Sequence, residues 1–186
     1  MDPAAKSVLR SEFRQRRRAA MPAAGQTLAA AARDTLALIP PGRWLGLYWP
    51  LGHEPNLLGL AEPPPGCGGC RLALPVVEQQ TLLYRAWDPQ ATLAPDACGI
   101  PSPQGPSQLR AGDLGLLMVP ALAFDQQGIR LGSGGGWYDR LRADPAWRAV
   151  PALAVLPAAC LTAQLPRDPW DVPFDGWLDE QGIHWL

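Results

Sequence analysis

Apolar and polar positions change period several times along the chain, and each change marks an element. Residues 5–21 repeat on the helical period. Val8, Leu9 and Phe13 form an apolar stripe, while Lys6, Arg10 and Arg14, each four residues from the next, share a basic face. Arg16, Arg17 and Arg18 extend the basic character and read, with Arg14, as a solvated helix face. Pro22 should end this helix, because proline has no N–H to close the next turn, and a second, alanine-rich helix is expected over 23–38.

Past residue 40 the pattern turns to strands. "WLGLYWP" (44–50) is apolar and aromatic and predicts a strand ending at Pro50, followed by a short helix near 56–61. "RLALPVV" (71–77) and "TLLYRAW" (81–87) predict two more strands. Residues 88–112 are rich in Pro, Gly and Ser and read mostly as loop. "LGLLMVPALAF" (114–124) and "VPALAVL" (150–156) are almost unbroken apolar runs, as expected of parallel strands buried on both faces. A glycine-rich stretch follows the first of them, and a helix is expected from Trp137 to about Ala143. No internal repeat or domain boundary interrupts the pattern. Strands alternating with helices predict one α/β domain over 1–186, a three-layer α/β/α sandwich with a mostly parallel central sheet.

Composition narrows this picture. The chain has 186 residues, 47% of them apolar, enough for one ordered domain with a real core. Its formal charge is -1, so no bulk field draws it to nucleic acid or acidic lipid, and any basic site must be local. The one basic cluster, "RQRRRAAM", is short, so RNA binding is the weaker alternative. The first residues are charged and no apolar run approaches the ~20 residues that span a bilayer. A cytoplasmic protein with reduced thiols is therefore expected. "CGGC" (67–70) lacks two further zinc ligands at short spacing and reads as a surface turn, and Cys98 and Cys160 read as buried small residues. Lys6 is the only lysine beside fifteen arginines, which marks it as a candidate compact ammonium donor.

The candidate chemistry lies in "RLGSGGGWYDR" (130–140), after the most apolar strand and before a helix. Open α/β sheets bind ligands there, at the carboxyl ends of the strands. Glycines let backbone N–H groups approach an anion, and Arg130 and Arg140 can add charge-assisted bonds. The stretch has no Gly-Lys-Ser/Thr ending and no dinucleotide fingerprint, so from its residues alone it reads as either a turn or a phosphate cradle.

"VPALAFDQQGIRLGSGGGWYDR" (119–140) resembles the signature of the 5-formyltetrahydrofolate cyclo-ligase family. "KSVLR" (6–10), "YWPLGHEPN" (48–56), "LALPVV" (72–77), "GIPSP" (99–103) and "LPRDPWDVPFDGWL" (165–178) are similar to further family segments in the same order. The resemblance implies Mg-ATP-dependent conversion of 5-formyltetrahydrofolate to 5,10-methenyltetrahydrofolate. ATP phosphorylates the formyl oxygen, the neighbouring folate nitrogen closes the ring, and phosphate leaves.

The resemblance also implies roles. Lys6, Arg10, Arg130, Gly132, Ser133, Gly134, Gly135, Gly136, Trp137 and Tyr138 would bind ATP, with 130–139 as the phosphate loop. Arg130 and Tyr138 would be catalytic. Glu54, Tyr48, Trp137 and Tyr138 would contact the folate, Glu54 pairing with the donor-rich pterin edge. Trp49 would line the same pocket or belong to the core. Asp139 and Asp171 would hold Mg2+, a hard-oxygen pair suited to that ion. Asp175 reads as a turn residue and His53 as an exposed loop residue. The substrate would be a small folate, with or without a polyglutamate tail, and the protein a monomer bound to neither nucleic acid nor membrane. Trp137 replaces the family's usual Tyr or Phe, Pro55 and Asn56 follow Glu54 in place of an apolar residue and Asp, and 154–166 lacks the family's usual Phe and Gln. The alternative is a non-catalytic relative that binds folate or nucleotide.

Overall fold

The computed structural model describes residues 3–62 and 71–186, so the Cys67–Cys70 turn lies outside the described residues. The first helix, α1 (Pro3–Ala31), runs straight through Pro22 and continues as a 3-10 turn, Ala32–Leu38, instead of breaking into two helices. The reason is burial on both sides of the proline. Phe13, Arg17, Ala24, Leu28 and Ala32 are all buried, and their spacing keeps them on one stripe. Burying a Phe or Leu is worth about 1.5–3 kcal/mol each, whereas a proline in a helix costs about 3 kcal/mol. Docking of the whole stripe outweighs the lost hydrogen bond.

The strands follow in chain order. They are β1 (Trp44–Gly46), β2 (Arg71–Glu78), β3 (Thr81–Trp87), β4 (Leu93–Pro95), β5 (Pro101–Pro103), β6 (Gln108–Leu109), β7 (Leu114–Pro120), β8 (Ala123–Asp125) and β9 (Arg130–Leu131). After α2 (Trp137–Ala143) and α3 (Pro145–Arg148) come β10 (Ala152–Val155), β11 (Leu161–Thr162), β12 (Gly176–Asp179) and β13 (Gly182–Trp185). The expected helix at 56–61 is a 3-10 turn, Leu58–Ala61.

The main sheet has the order β13-β12-β10-β7-β1-β2-β3-β6. Its centre, from β12 to β2, is parallel, and β13, β3 and β6 add antiparallel edges. Successive residues of the apolar strands serve opposite faces. Leu117, Val119, Ala152 and Ala154 join one core cluster with Phe13, Phe124 and Leu141. Leu116, Met118, Leu153 and Val155 join the other, with Leu28, Ala32 and Leu45. Both faces are covered, as the unbroken apolar runs require, and the α/β sandwich expectation holds.

Three further expectations need correction. Cys98, expected to be buried, is exposed, whereas Cys160 is buried as expected. The strand at 44–50 is only three residues long, although the Leu47 N–H still donates to the Ala73 carbonyl at 2.8 Å before the chain leaves the sheet. The run 114–124 splits, and β8 joins a separate small sheet with β9 and β11. Ala121 and Leu122 at the split are as buried as their neighbours, so the apolar pattern carries no mark of it. Residues 88–112 are mostly loop, as expected, and also hold three short strands, β4 to β6, too brief to leave a period-two signal. No helix among the described residues is long and apolar enough to cross a membrane.

Candidate active site

A cavity of about 820 Å³ opens where chain leaves the carboxyl ends of the central strands. Tyr48, Trp49 and Glu54 reach it after β1, Val77 near the end of β2, and Pro120 at the end of β7. This is the crevice expected of an open α/β sheet. Lys6 and Arg10 enter from α1. Arg130, the loop Gly132, Ser133, Gly134, Gly135 and Gly136, and then Trp137, Tyr138 and Asp139 form another wall. Asp171 comes from the segment before β12. Residues far apart in the chain, singled out from the sequence, therefore line one cavity.

The loop is shaped by close approach and by turn geometry. Gly136 has φ 63°, left-handed backbone that favours glycine, and its carbonyl accepts the Arg140 N–H at 3.0 Å to start α2. A Cβ on Gly132 would sit 2.5 Å from Arg130 Nη1, so glycine there leaves room for the guanidinium. The α1 face docks on this loop. Arg10 Nε donates to the Gly132 carbonyl at 3.1 Å, and Arg14 Nη2 to the Ser133 carbonyl at 3.4 Å. Arg14 is thus a loop support as well as an exposed residue. Arg10, Arg130 and Arg140 bring positive charge to the cavity beside this loop.

Arg130 is held from several sides. Nη2 lies 3.3 Å from Asp139 Oδ2, Nη1 donates to the Pro120 carbonyl at 3.4 Å, and the guanidinium sits over the Tyr138 and Phe174 rings. Burial pushes the Tyr138 hydroxyl up to about 12, with Tyr84 and Arg130 offsetting part of the effect. At neutral pH Tyr138 is therefore a neutral hydrogen-bond donor and not a base. Arg140 lies over the Trp137 ring, 4.5 Å from its centroid.

Lys6 bridges two carboxylates, with Nζ 2.7 Å from Asp168 Oδ2 and 3.0 Å from Asp171 Oδ2. Burial works against the ammonium charge, but bonds to Asp168 and Asp171 outweigh it and hold the Lys6 pKa above its usual value. Asp171 Oδ2 also accepts the Asp168 backbone N–H at 2.7 Å. Asp175 is structural: its Oδ2 accepts the Ala152 N–H at 2.8 Å and pairs with the buried Arg142 at 3.5 Å. His53 is exposed, as expected.

Glu54 is deeper than a loop carboxylate normally sits, its side chain 8% exposed. Oε2 accepts the Leu51 N–H at 3.0 Å, and Oε1 lies 3.6 Å from Arg17 Nη1. Burial raises the Glu54 pKa above its usual range, while the Leu51 N–H, Arg17 and Arg130 pull it back. Tyr48 is buried, with its hydroxyl donating to the Pro55 carbonyl at 2.7 Å. It is core and cavity wall at once.

Sequence reasoning missed Arg17, which is buried rather than solvated, and Asp168. Arg17 lies four residues after Phe13 on the same helical stripe, a signal that was present. Asp96, which accepts N–H groups from Val77, Cys98 and Ile100, also lines the cavity and had no such signal.

The sequence profile of the 5-formyltetrahydrofolate cyclo-ligase family matches residues 2–179. The 5-formyltetrahydrofolate cyclo-ligase of Mycolicibacterium smegmatis is 34% identical over 182 residues, covering 92% of each chain. The Escherichia coli enzyme of the same name is 29% identical over 173 residues, covering 87% of this chain and 92% of its own. Among solved structures, Aquifex aeolicus 5,10-methenyltetrahydrofolate synthetase superposes with a TM-score of 0.73 at 28% identity, covering 97% of this chain and 92% of its own. A Mycoplasma pneumoniae 5,10-methenyltetrahydrofolate synthetase shares the fold at TM-score 0.69 and 20% identity, covering 97% and 99%. With the profile spanning nearly the whole chain and the cavity built from the same segments that carry the resemblance, this chain belongs to the 5-formyltetrahydrofolate cyclo-ligase family.

Proposed function

We propose that the protein converts 5-formyltetrahydrofolate to 5,10-methenyltetrahydrofolate, using ATP and releasing ADP and phosphate. The observation that carries this reading is a single cavity lined both by phosphate-type groups, Lys6, Arg10 and Arg130, and by a buried carboxylate, Glu54. ATP phosphorylates the formyl oxygen, and the neighbouring folate nitrogen attacks the activated carbon and expels phosphate. Both reacting groups belong to substrates, so the chain supplies position and charge rather than a covalent nucleophile. Arg130 neutralises charge on the transferring phosphoryl group. Tyr138, neutral at working pH, donates a hydrogen bond beside it.

Asp139 and Asp171 would hold Mg2+. Among the described residues no three His, Cys, Asp or Glu side chains form a metal-binding group. Mg2+ takes one or two protein carboxylates and completes its shell with phosphate oxygens and water, so two aspartates are a sufficient donor set from the chain. The ion would neutralise charge on the phosphates. Each aspartate is paired in the resting site, Asp139 with Arg130 and Asp171 with Lys6, so anions and cations stay compensated until the nucleotide arrives. Binding then exchanges partners: the phosphates take Lys6 and Arg130 and free the two carboxylates.

A cytoplasmic setting is part of the same proposal.

The test is to mix purified protein with 5-formyltetrahydrofolate, ATP and magnesium and follow the near-ultraviolet band of the methenyl product. ATP-dependent growth of that band is expected. Binding of folate or ATP without growth would favour the non-catalytic alternative. Lys6→Met should raise the KM for ATP about tenfold or more, since one charge-assisted contact is lost, with the folate KM little changed. An equal rise in both would place Lys6 in structural support.

A further inference from the structure

Arg17 has no place in the resemblance, yet it is among the few buried charged side chains. It sits on the stripe of α1 that also buries Phe13 and Ala24. Its Nη1 lies 3.4 Å from the Ala121 carbonyl and 3.6 Å from Glu54 Oε1, and its Nε has no partner among the described residues. One long carbonyl contact does not compensate a buried guanidinium; an anion is needed, and Glu54 is the carboxylate in reach. Glu54 is also the acidic side chain through which α1 meets the segment after β1. Its second oxygen is taken by the Leu51 N–H, so both oxygens have a fixed partner on the protein side.

We propose that Arg17 is a positioning residue for the folate, acting through Glu54: it fixes the orientation of that carboxylate and supplies its countercharge. This rests on the reading of Glu54 as the group that receives the pterin. The alternative role for Arg17, simple docking of α1 through the Ala121 carbonyl, leaves Glu54 out. The charged and titratable groups facing Glu54 are Arg17 on α1, Arg130 on β9, Tyr48 after β1 and Tyr138 on α2. Burial raises the Glu54 pKa and the two cations oppose it. With Arg17 gone, burial is opposed by one cation fewer. The carboxylate then takes up a proton at higher pH, and folate affinity is lost at higher pH.

The experiment is calorimetric titration of the full chain with 5-formyltetrahydrofolate, and separately with ATP, at several pH values from acid to neutral. The variants are Arg17→Met, Arg17→Lys, Glu54→Gln and the double variant Arg17→Met/Glu54→Gln, each checked for its thermal midpoint. Expected at neutral pH is about a tenfold or greater loss of folate affinity in Arg17→Met, with ATP affinity little changed. The pH at which affinity falls should move upward. Arg17→Lys should restore much of the loss, and Arg17→Met should add nothing in the Glu54→Gln background. Arg17→Met that lowers only the thermal midpoint, weakens both ligands alike, or adds its full effect to Glu54→Gln overturns the proposal. Should Arg17→Met not fold, Arg17→Gln, which also removes the charge, takes its place under the same criteria: an unshifted pH profile with unchanged folate affinity and a lowered midpoint overturns it. Glu54→Gln with wild-type folate affinity would overturn the underlying reading instead, and wild-type protein that does not bind the folate would overturn the function.

Discussion

Arg130→Lys is expected to lower kcat/KM for ATP by about a thousandfold, the lower end of what a phosphate-clamping arginine contributes to phosphoryl transfer. The charge is kept, so the loss isolates geometry. Arg130 uses its planar fork: one terminal nitrogen faces Asp139 at 3.3 Å, the other donates to the Pro120 carbonyl at 3.4 Å, and the plane lies over the Tyr138 and Phe174 rings. An ammonium is a point charge on a flexible stem and cannot reproduce the fork or the stacking. The loss should fall mainly on kcat, because charge on the transferring group grows on the way to the transition state. Steady-state kinetics over ATP concentration, with circular dichroism to show an unchanged fold, makes the check. A variant within tenfold of wild type would make Arg130 a loop support, anchoring the strand β9 to β7.

Glu54→Gln is expected to weaken folate binding about a hundredfold while leaving ATP affinity close to wild type. A carboxylate offers only acceptors, whereas the Gln amide turns one oxygen into a donor that faces the donor-rich pterin edge. Leaving such groups unpaired in a dry site costs more than the mean value of a hydrogen bond. The pH dependence has a definite sign. Burial holds the Glu54 pKa above its usual value, and the ionised form is the one that accepts from the folate. Wild-type affinity should therefore fall as pH drops through a point higher than an ordinary glutamate would set. The Gln variant should lack that fall. Equal weakening of folate and ATP would make Glu54 a structural residue.

The parts of this site that were legible in the sequence are local ones. The strand β3 and the helix α2 match their expected bounds, because each is a short run with one period and a clear stop. The Lys6–Arg10–Arg14 face was readable because four-residue spacing on a helix sets direction as well as structure. It does meet the glycine loop, through Arg10 and Arg14. The reading failed where a local rule was outvoted. Pro22 should have ended α1, but the buried stripe on both sides of it holds the helix together. Arg17 should have been solvated, yet it turns inward to Glu54.

By itself, then, the sequence determined the α/β class, the apolar strands buried on both faces, the glycine loop and the family resemblance, all carried by patterns within a few tens of residues. Only the tertiary structure decided which charges meet. Lys6 pairs with Asp168 and Asp171, residues 162 and 165 positions away, and Arg17 pairs with Glu54. Hydrophobic period reports the face on which a side chain lies, not what arrives opposite it. The strength of a charge pair depends on separation and burial, and both are defined only once the sheet has closed and α1 has docked along it.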